Sequence, residues 1–381
     1  MDDIILHVIN KRGKKMGRIS IVRTDKELEK SVLESINLIG GIERFIGHND
    51  KVMLKPNVNG TEATTNPLIT EALIRIVTGY GIKELIIAES TFGNANMTDM
   101  FFEKNGYRSL AEKYGIRLLN LNRSAIENVK VRKPMVLDNI RMAKEALDGY
   151  KIINIPVMKV HYATGVTLSM KNLKGLLALD EKRHFHEAGL DKAIVDLNNS
   201  IKPALNIVDC THCMERMGPR GGDIIDLDLV MAGRDCAETD YIGCRIMGYT
   251  IEEVKHLEYY IQTNNVDLSR IEIAGEKIED VQHSFRKVEM DRIVPKGFRI
   301  ENKNSCSACM NAMLLSCQFL GEGKNNIAAD IYLGSDIKTR ESAGRSQVGF
   351  GNCACRNRNF EIEVKGCPPF PFALKEKLES R

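Results

Sequence analysis

No stretch of this 381-residue sequence approaches the ~18 uninterrupted apolar residues of a membrane-spanning helix, so no membrane function is expected. The opening Met1-Asp-Asp-Ile-Ile-Leu-His lacks a basic region followed by an apolar run, which argues against a signal peptide and for a cytoplasmic location. Ten cysteines are too few for a disulfide scaffold in a chain of this size, which fits a reducing compartment. The net charge of only +3 gives no electrostatic case for nucleic acid or a lipid surface as partner. No Gly-x-Gly-x-x-Gly run signals a flavin or nicotinamide, and there is no internal repeat or low-complexity linker. What remains, 43% hydrophobic and 28% charged residues, is the composition of a soluble globular protein.

Short Ile- and Val-rich runs at 19–22, 52–54, 85–88, 152–155, 204–208 and 229–232 read as strands buried on both faces. Helical stretches lie between them. Asp25 is placed to cap a helix over 26–38, and Asn66-Pro67 to open one over 68–78. The alternation predicts an α/β fold: mainly parallel sheets, helices on both faces, two lobes. After Gly275 the pattern degrades. Residues 276–303 look like an irregular connection, 306–319 like a helix, 328–333 like a strand and 334–351 like a polar loop. This divides the chain into an α/β core, 1–300, and a cysteine-rich module, 301–381, small enough to profit from a metal.

The cysteines of that module are its main chemical signal. Cys306-x-x-Cys309, Cys353 and Cys367-Pro368 supply four soft thiolates, and 43 residues separate the second from the third. Such a set suits a 4Fe–4S cluster, with zinc as the alternative and unligated thiols as the bland reading. The Cys-Pro step favours the cluster, because ferredoxin-type ligand runs often end that way. Cys317 lies eight residues beyond Cys309 on one predicted helix, about 12 Å along its axis, too far to share a small cluster. Cys355, two residues after Cys353, is the competitor for that position. Lys338, Arg340, Arg345, Arg356 and Arg358 could offset a cluster's negative charge.

Polar residues gather where the predicted strands end: Lys55 and Asn57, Glu89 and Ser90, Lys159 and His161, Asp209, and Asp235. In open α/β sheets the carboxyl ends of the strands are where ligands bind. Lys171 and Lys174 share one face with Thr167 if 167–174 is helical, and with Lys159 and His161 would line a cationic pocket for carboxylate or phosphate. Residues 180–187 carry His184-Phe-His186 and read as a charged loop, suited to a lid, proton transfer or, less well, a metal. The run Asp209 to Gly222 contains Glu215, a turn built on Gly218-Pro219, and a second Cys-x-x-Cys at Cys210 and Cys213. Buried side chains are the favoured reading of that pair, and a second metal the other.

Lys55-Pro-Asn, Lys159-x-His161, Lys171-Asn172-Leu-Lys174-Gly175, Asp209 through Glu215 to Gly218-Pro219, and Asp235 with Asp240 occur here in series. In this order they resemble the widespread prokaryotic proteins called domain of unknown function 362, over about residues 15–250. The resemblance implies a core similar to that of nickel-dependent lactate racemase, a small-molecule cleft, and an iron–sulfur segment at the C-terminus. Only one cluster is implied, because a tandem Cys-x-x-Cys-x-x-Cys is missing.

These readings converge on an iron–sulfur oxidoreductase of anaerobic type, passing electrons from one 4Fe–4S cluster to a small anionic substrate or cofactor. A ferredoxin-like protein is the expected electron donor. Lys159, His161, His184 and Asp209 are assigned to catalysis. Lys55, Asn57, Lys171, Asn172, Lys174, Glu215 and Gly218 are assigned to substrate, and Cys306, Cys309, Cys353 and Cys367 to the metal. A non-catalytic iron–sulfur carrier or maturation factor, and a redox-neutral racemase- or lyase-like enzyme with structural zinc, are the alternatives.

Overall fold

The structure, a computed structural model, describes residues 17–24, 27–320, 327–335, 337–338, 344–356 and 359–380. In chain order the strands are β1 (Arg18–Arg23), β2 (Lys51–Pro56), β3 (Glu84–Glu89), β4 (Arg117–Asn120), β5 (Ile126–Lys130), β6 (Asn139–Ala143), β7 (Lys151–Ile155) and β8 (Val157–His161). They continue with β9 (Gly165–Thr167), β10 (Leu205–Glu215), β11 (Asp223–Gly233), β12 (Glu272–Gly275), β13 (Phe298–Lys303), β14 (Ala329–Gly334), β15 (Ser346–Phe350) and β16 (Ile362–Val364).

A ten-stranded, mostly parallel sheet runs β12-β1-β11-β10-β7-β2-β3-β4, with β8 on β10 and β9 on β8. Its central strands are apolar at successive positions because both faces are covered. Val52 and Leu54 enter one hydrophobic cluster while Met53 enters the other, and Ile87 is divided from Ile86 and Ala88 in the same way. Helices supply the other half of each cluster. The helix Pro67–Tyr80 opens as its sequence predicts: the Asn66 side chain accepts from the Leu68 amide, proline stands at the first turn, and Gly81 ends it in the left-handed region. The first helix is Leu28–Leu38, and the cap expected at Asp25 lies outside the described residues.

Two departures from a purely parallel sheet matter for the site. β10 and β11 form a long antiparallel pair, and β11 also pairs antiparallel with β1. Asp235 therefore follows a strand running the other way; Gly233, just before it, pairs with Asn206, whose register continues through Asn154 to Lys55, whereas His161 lies far along β10. Asp235 caps the helix Cys236–Ile246 by accepting from the Ala237 and Glu238 amides. Asp209 does not follow a strand but sits inside β10.

Beyond the large sheet, β13-β14-β15-β16 form a second, all-parallel sheet with its own apolar cluster, packed on the helix Ser307–Leu320. Two of its strands, β13 and β15, stand where an irregular connection and a polar loop are expected from the sequence. β13 also crosses the boundary expected at residue 300. No helix among the described residues is long and apolar enough to cross a membrane.

Asn66 does double duty, capping its helix and donating its own backbone N–H to Asp209 (2.7 Å). Asn66→Ala should lower stability by about 1 kcal/mol, while Asn66→Asp, which keeps the cap, should lose less. Urea unfolding midpoints of the three proteins read this out; equal losses for both variants would show that the side-chain cap is idle.

Candidate functional site

At the carboxyl ends of β2, β3 and β8, amines are held in the interior by neutral groups. Lys159, 1% exposed, donates to Asn57 Oδ1 (2.9 Å) and the Ala63 carbonyl (2.9 Å). Asn57 donates to Asn172 Oδ1 (2.8 Å), Asn172 to Asn154 Oδ1 (2.9 Å), Asn154 to Asn206 Oδ1 (2.9 Å), and Asn206 to the carbonyl of Arg234 (3.0 Å). All five side chains are buried. The chain points one way because an ammonium can only donate, and this sets the orientation of every amide that follows. Burial first, and then the nearby Arg220 guanidinium, against Glu89, push the Lys159 amine down to about 7.

Lys171 and Lys174 lie just beyond, on the short helical segment that follows β9. Residue 167 is in β9, not in a helix, yet its hydroxyl still meets Lys171 (3.0 Å). It does so because Thr167 is the cross-strand partner of Lys159, which sets the two amines side by side. Both lysines are half-buried. Burial and then Lys174 and Lys159 push Lys171 well below the ordinary lysine range, and burial lowers Lys174 to about 7. Lys174 Nζ lies 3.1 Å from His186 Nε2, and His186 Nδ1 lies 2.5 Å from the Ser307 hydroxyl. When Lys174 is charged it can only donate to Nε2, which puts the imidazole proton on Nδ1, so the contacts join Lys174 through His186 to Ser307. Burial, then Lys174 and Lys171, keeps that imidazole neutral. His161, also buried, accepts the Ala163 amide on Nδ1 (3.1 Å), which leaves its proton on Nε2.

Several expected substrate contacts are scaffold instead. Lys55 is wholly buried in an ion pair with Glu89 (2.6 Å), so it has no access to a ligand. Asn57 and Asn172 are consumed by the amide chain. Glu215 is buried against Arg286 Nε (2.5 Å) and the Arg286 amide (2.8 Å). Gly218 is a packing glycine: a Cβ there would lie 1.8 Å from the Val160 carbonyl oxygen. Asp209 accepts the amides of Asn66 and Thr211 and the Thr211 hydroxyl, which ties the start of the helix Pro67–Tyr80 to β10, and burial raises its carboxyl above the usual range. Asp240 likewise accepts the amides of Ser169 and Met170 at the head of the lysine-bearing segment.

His184 is the other correction. Residues 180–187 belong to a helix, Leu179–Ala188, rather than a loop. Two residues apart on a helix, His184 and His186 cannot face the same way. His184 is exposed beside Glu181 (3.5 Å), and it is His186 that meets the lysines. Sequence reasoning also missed Lys182, which is buried on the same helix and donates to the Ser90 hydroxyl (2.5 Å) and to the carbonyls of Ser90 (2.8 Å) and Thr91 (2.9 Å). It passed over Arg220 as part of a glycine-rich turn.

Across the His186–Ser307 contact lie the cysteines. Tyr162 donates to the Ser307 carbonyl, and Gln318 to the Gly221 carbonyl (2.9 Å), so the second sheet and its helix are seated on the cation cluster. Cys309 has Cys306, Cys353 and Cys367 all within electrostatic reach. The close approach is built in, because a Cβ on Gly351 would stand 3.1 Å from Cys309 Sγ. The loops carrying Cys353 and Cys367 are tied by Asn352 N to the Gly366 carbonyl (3.0 Å) and Gly366 N to Asn352 Oδ1 (2.8 Å). Four converging thiols fit a soft-metal centre in donor chemistry. Among the described residues, no group of three or more His, Cys, Asp or Glu is placed closely enough to hold a metal ion. Cys317 donates along its own helix to Met313 Sδ (3.5 Å), and Cys355 to the Gly349 carbonyl (3.3 Å).

Cys210 and Cys213 are buried in the main core, brought to one face of β10 by an irregularity between Cys210 and His212. Arg345 is spent on Asp330 (2.6 Å) rather than on charge near Cys353, and Arg340 and Arg358 lie outside the described residues.

Burial lowers Lys182 to about 7 from its ordinary 10.5. Between those values the unfolded chain holds a proton that the folded one has shed, so stability should rise with pH from about 7 upward. Lys182→Met should flatten that rise by up to about 1.4 kcal/mol per pH unit. Urea unfolding at intervals from pH 7 to 9 measures it, and an unchanged slope would contradict the buried-amine assignment.

Residues 52–245 match the family described as Domain of unknown function (DUF362). A thylakoid-associated protein of Synechocystis sp. is 29% identical over 241 residues, spanning 59% of this chain and 72% of that protein. Two solved structures are similar at 14% identity. One is a Thermotoga maritima protein, with a TM-score of 0.43 over 85% of this chain and 75% of that one. The other is the lactate racemase apoprotein from Thermoanaerobacterium thermosaccharolyticum, with a TM-score of 0.40 over 83% of this chain and 68% of that one. The family match takes in half of the sequence, including every lysine and histidine of the cleft, and the chain belongs to the domain of unknown function 362 family.

Proposed function

We propose that this protein is an iron–sulfur oxidoreductase, acting on a small anionic substrate held by Lys171 and Lys174 beside a 4Fe–4S centre on Cys306, Cys309, Cys353 and Cys367. The observation that carries the reading is the His186 bridge, which joins Lys174 of the cleft to Ser307, inside the Cys306-x-x-Cys309 step. A cation cluster with little local carboxylate gains stability from an anion, since each amine loses water on burial and recovers charge compensation only from a ligand. The four-thiolate centre, when bound, supplies one-electron transfer.

The remaining steps fall to the chain's own side chains. Lys171 and Lys174 orient the anionic group, and Lys159, fixed by Asn57, keeps the adjoining wall positive. His161, neutral with its proton on Nε2, is placed to donate a hydrogen bond to the substrate, while a charged Lys171 or Lys174 can supply the proton that a reduced substrate takes up and recover it from solvent. The second sheet, seated on the cleft through Tyr162, His186 and Gln318, excludes water from it. A soluble protein carrying a ferredoxin-like cluster remains the proposed electron donor, at the exposed Cys353 and Cys367 side.

Protein purified without oxygen should contain iron and acid-labile sulfide, with a broad visible absorption that Cys306→Ser, Cys309→Ser, Cys353→Ser or Cys367→Ser each diminishes. Cys317→Ser and Cys355→Ser should retain it. Stoichiometric zinc without iron, or absorption lost with Cys317 and kept without Cys306, would sink the redox reading.

A further inference from the structure

We propose that the ligand of this cleft carries two separated negative groups, one received by Lys171 and Lys174 and the other by Arg220, with Lys159 between them. The inference rests on the reading of the cleft as an anion site and specifies what class of anion it takes. The positive groups form a row rather than a knot. Thr167 is both the cross-strand partner of Lys159 and the hydroxyl that Lys171 contacts. On its other side Lys159 is held by Asn57 and Ala63, in the same loop whose Asn59 receives Arg220 (3.4 Å). Arg220 is half-buried and set over the Phe101 ring at 5.6 Å, so its guanidinium is confined to the end of the row.

The electrostatic couplings follow the same order. Lys159 feels Arg220, Lys171 feels Lys159 and Lys174, and His186 feels Lys174 and Lys171. The carboxylates nearby compensate the row only in part. Glu89 is paired with Lys55 and Asp191 faces His256 (3.3 Å), while Glu62, which acts on Arg220, is exposed on the rim and accepts the Gly221 amide (3.0 Å). A single carboxylate could answer one end of this row and leave the other to solvent-screened compensation. A dicarboxylate, or a carboxylate bearing a phosphate group, answers both.

Isothermal titration calorimetry of the full chain at low ionic strength, with acetate, inorganic phosphate, succinate, glutarate and adipate as probes, tests this. The best of the three dicarboxylates should bind at least about tenfold more tightly than acetate. Arg220→Met should remove that preference and leave acetate unaffected, Arg220→Lys should keep part of it, and Lys171→Met should weaken all five probes. Dicarboxylates no tighter than acetate would overturn the two-ended site while leaving the anion reading intact. Phosphate tighter than every dicarboxylate, and indifferent to Arg220→Met, would replace it by a single compact dianion site. No heat from any probe would overturn both.

Discussion

Positive charge taken out of water with few carboxylates to meet it is the constraint around which this molecule is arranged. Lys159, Lys171, Lys174 and Lys182 all stand at the carboxyl side of one parallel sheet, where β2, β3 and β8 end. Lys55 alone among the neighbouring amines has a buried carboxylate. The others are met by dipoles: carbonyls of Ala63, Ser90 and Thr91, hydroxyls of Ser90 and Thr167, and the amide of Asn57. Dipoles satisfy donors without cancelling charge, so the field of the cluster stays available to something that enters from outside.

From that constraint the division of labour follows. An amide chain that must donate in one direction needs a stiff support, and Asn57, Asn172, Asn154 and Asn206 cross from β2 to β10 to provide it. Asp209 and Asp240 spend their oxygens on backbone amides, so they fix loops that hold lysines rather than neutralising the lysines themselves. Residues with full hydrogen-bond complements form the wall; half-buried Lys171, Lys174 and Arg220 form the open side. The second sheet closes over this side, and its cysteine loops are drawn together by Gly351 and by the Asn352–Gly366 pairing.

Much of the frame was legible in the sequence, and the reason is physical. Strands with both faces covered are apolar at successive central positions, which marks Val52 to Leu54, Ile86 to Ala88 and Ile152 to Ile153 directly, with Lys55, Glu89 and Asn154 as the polar exceptions. Asn66-Pro67 marks a helix start because both residues suit the first turn. The lysine segment was legible as a group through its spacing, although Thr167 reaches Lys171 from a strand. What escaped was whatever depends on distant chain. Asp180-Glu-Lys-Arg-His is charged enough to pass for a solvated loop, yet the helix there buries Lys182 and His186 and exposes His184. Asp235 does end a strand, but β11 runs antiparallel to β10, so its carboxylate turns to capping the helix Cys236–Ile246. Arg220 was hidden among glycines, and β13 and β15 are too short and mixed in polarity to stand out from their surroundings. Glu215 resembled a site residue because nothing in its own neighbourhood announces Arg286.

The family match and the fold leave the chemistry of the cleft to its side chains, and the central proposal is spatial: an anion and a cysteine-bound metal would occupy two sides of the His186–Ser307 contact. Anomalous diffraction from crystals grown without oxygen and soaked in bromide reads both positions at once. The account predicts iron density among Cys306, Cys309, Cys353 and Cys367, and bromide density against Lys171 and Lys174, within one molecule. Bromide confined to exposed surface lysines, with the cleft cations bare, would contradict it.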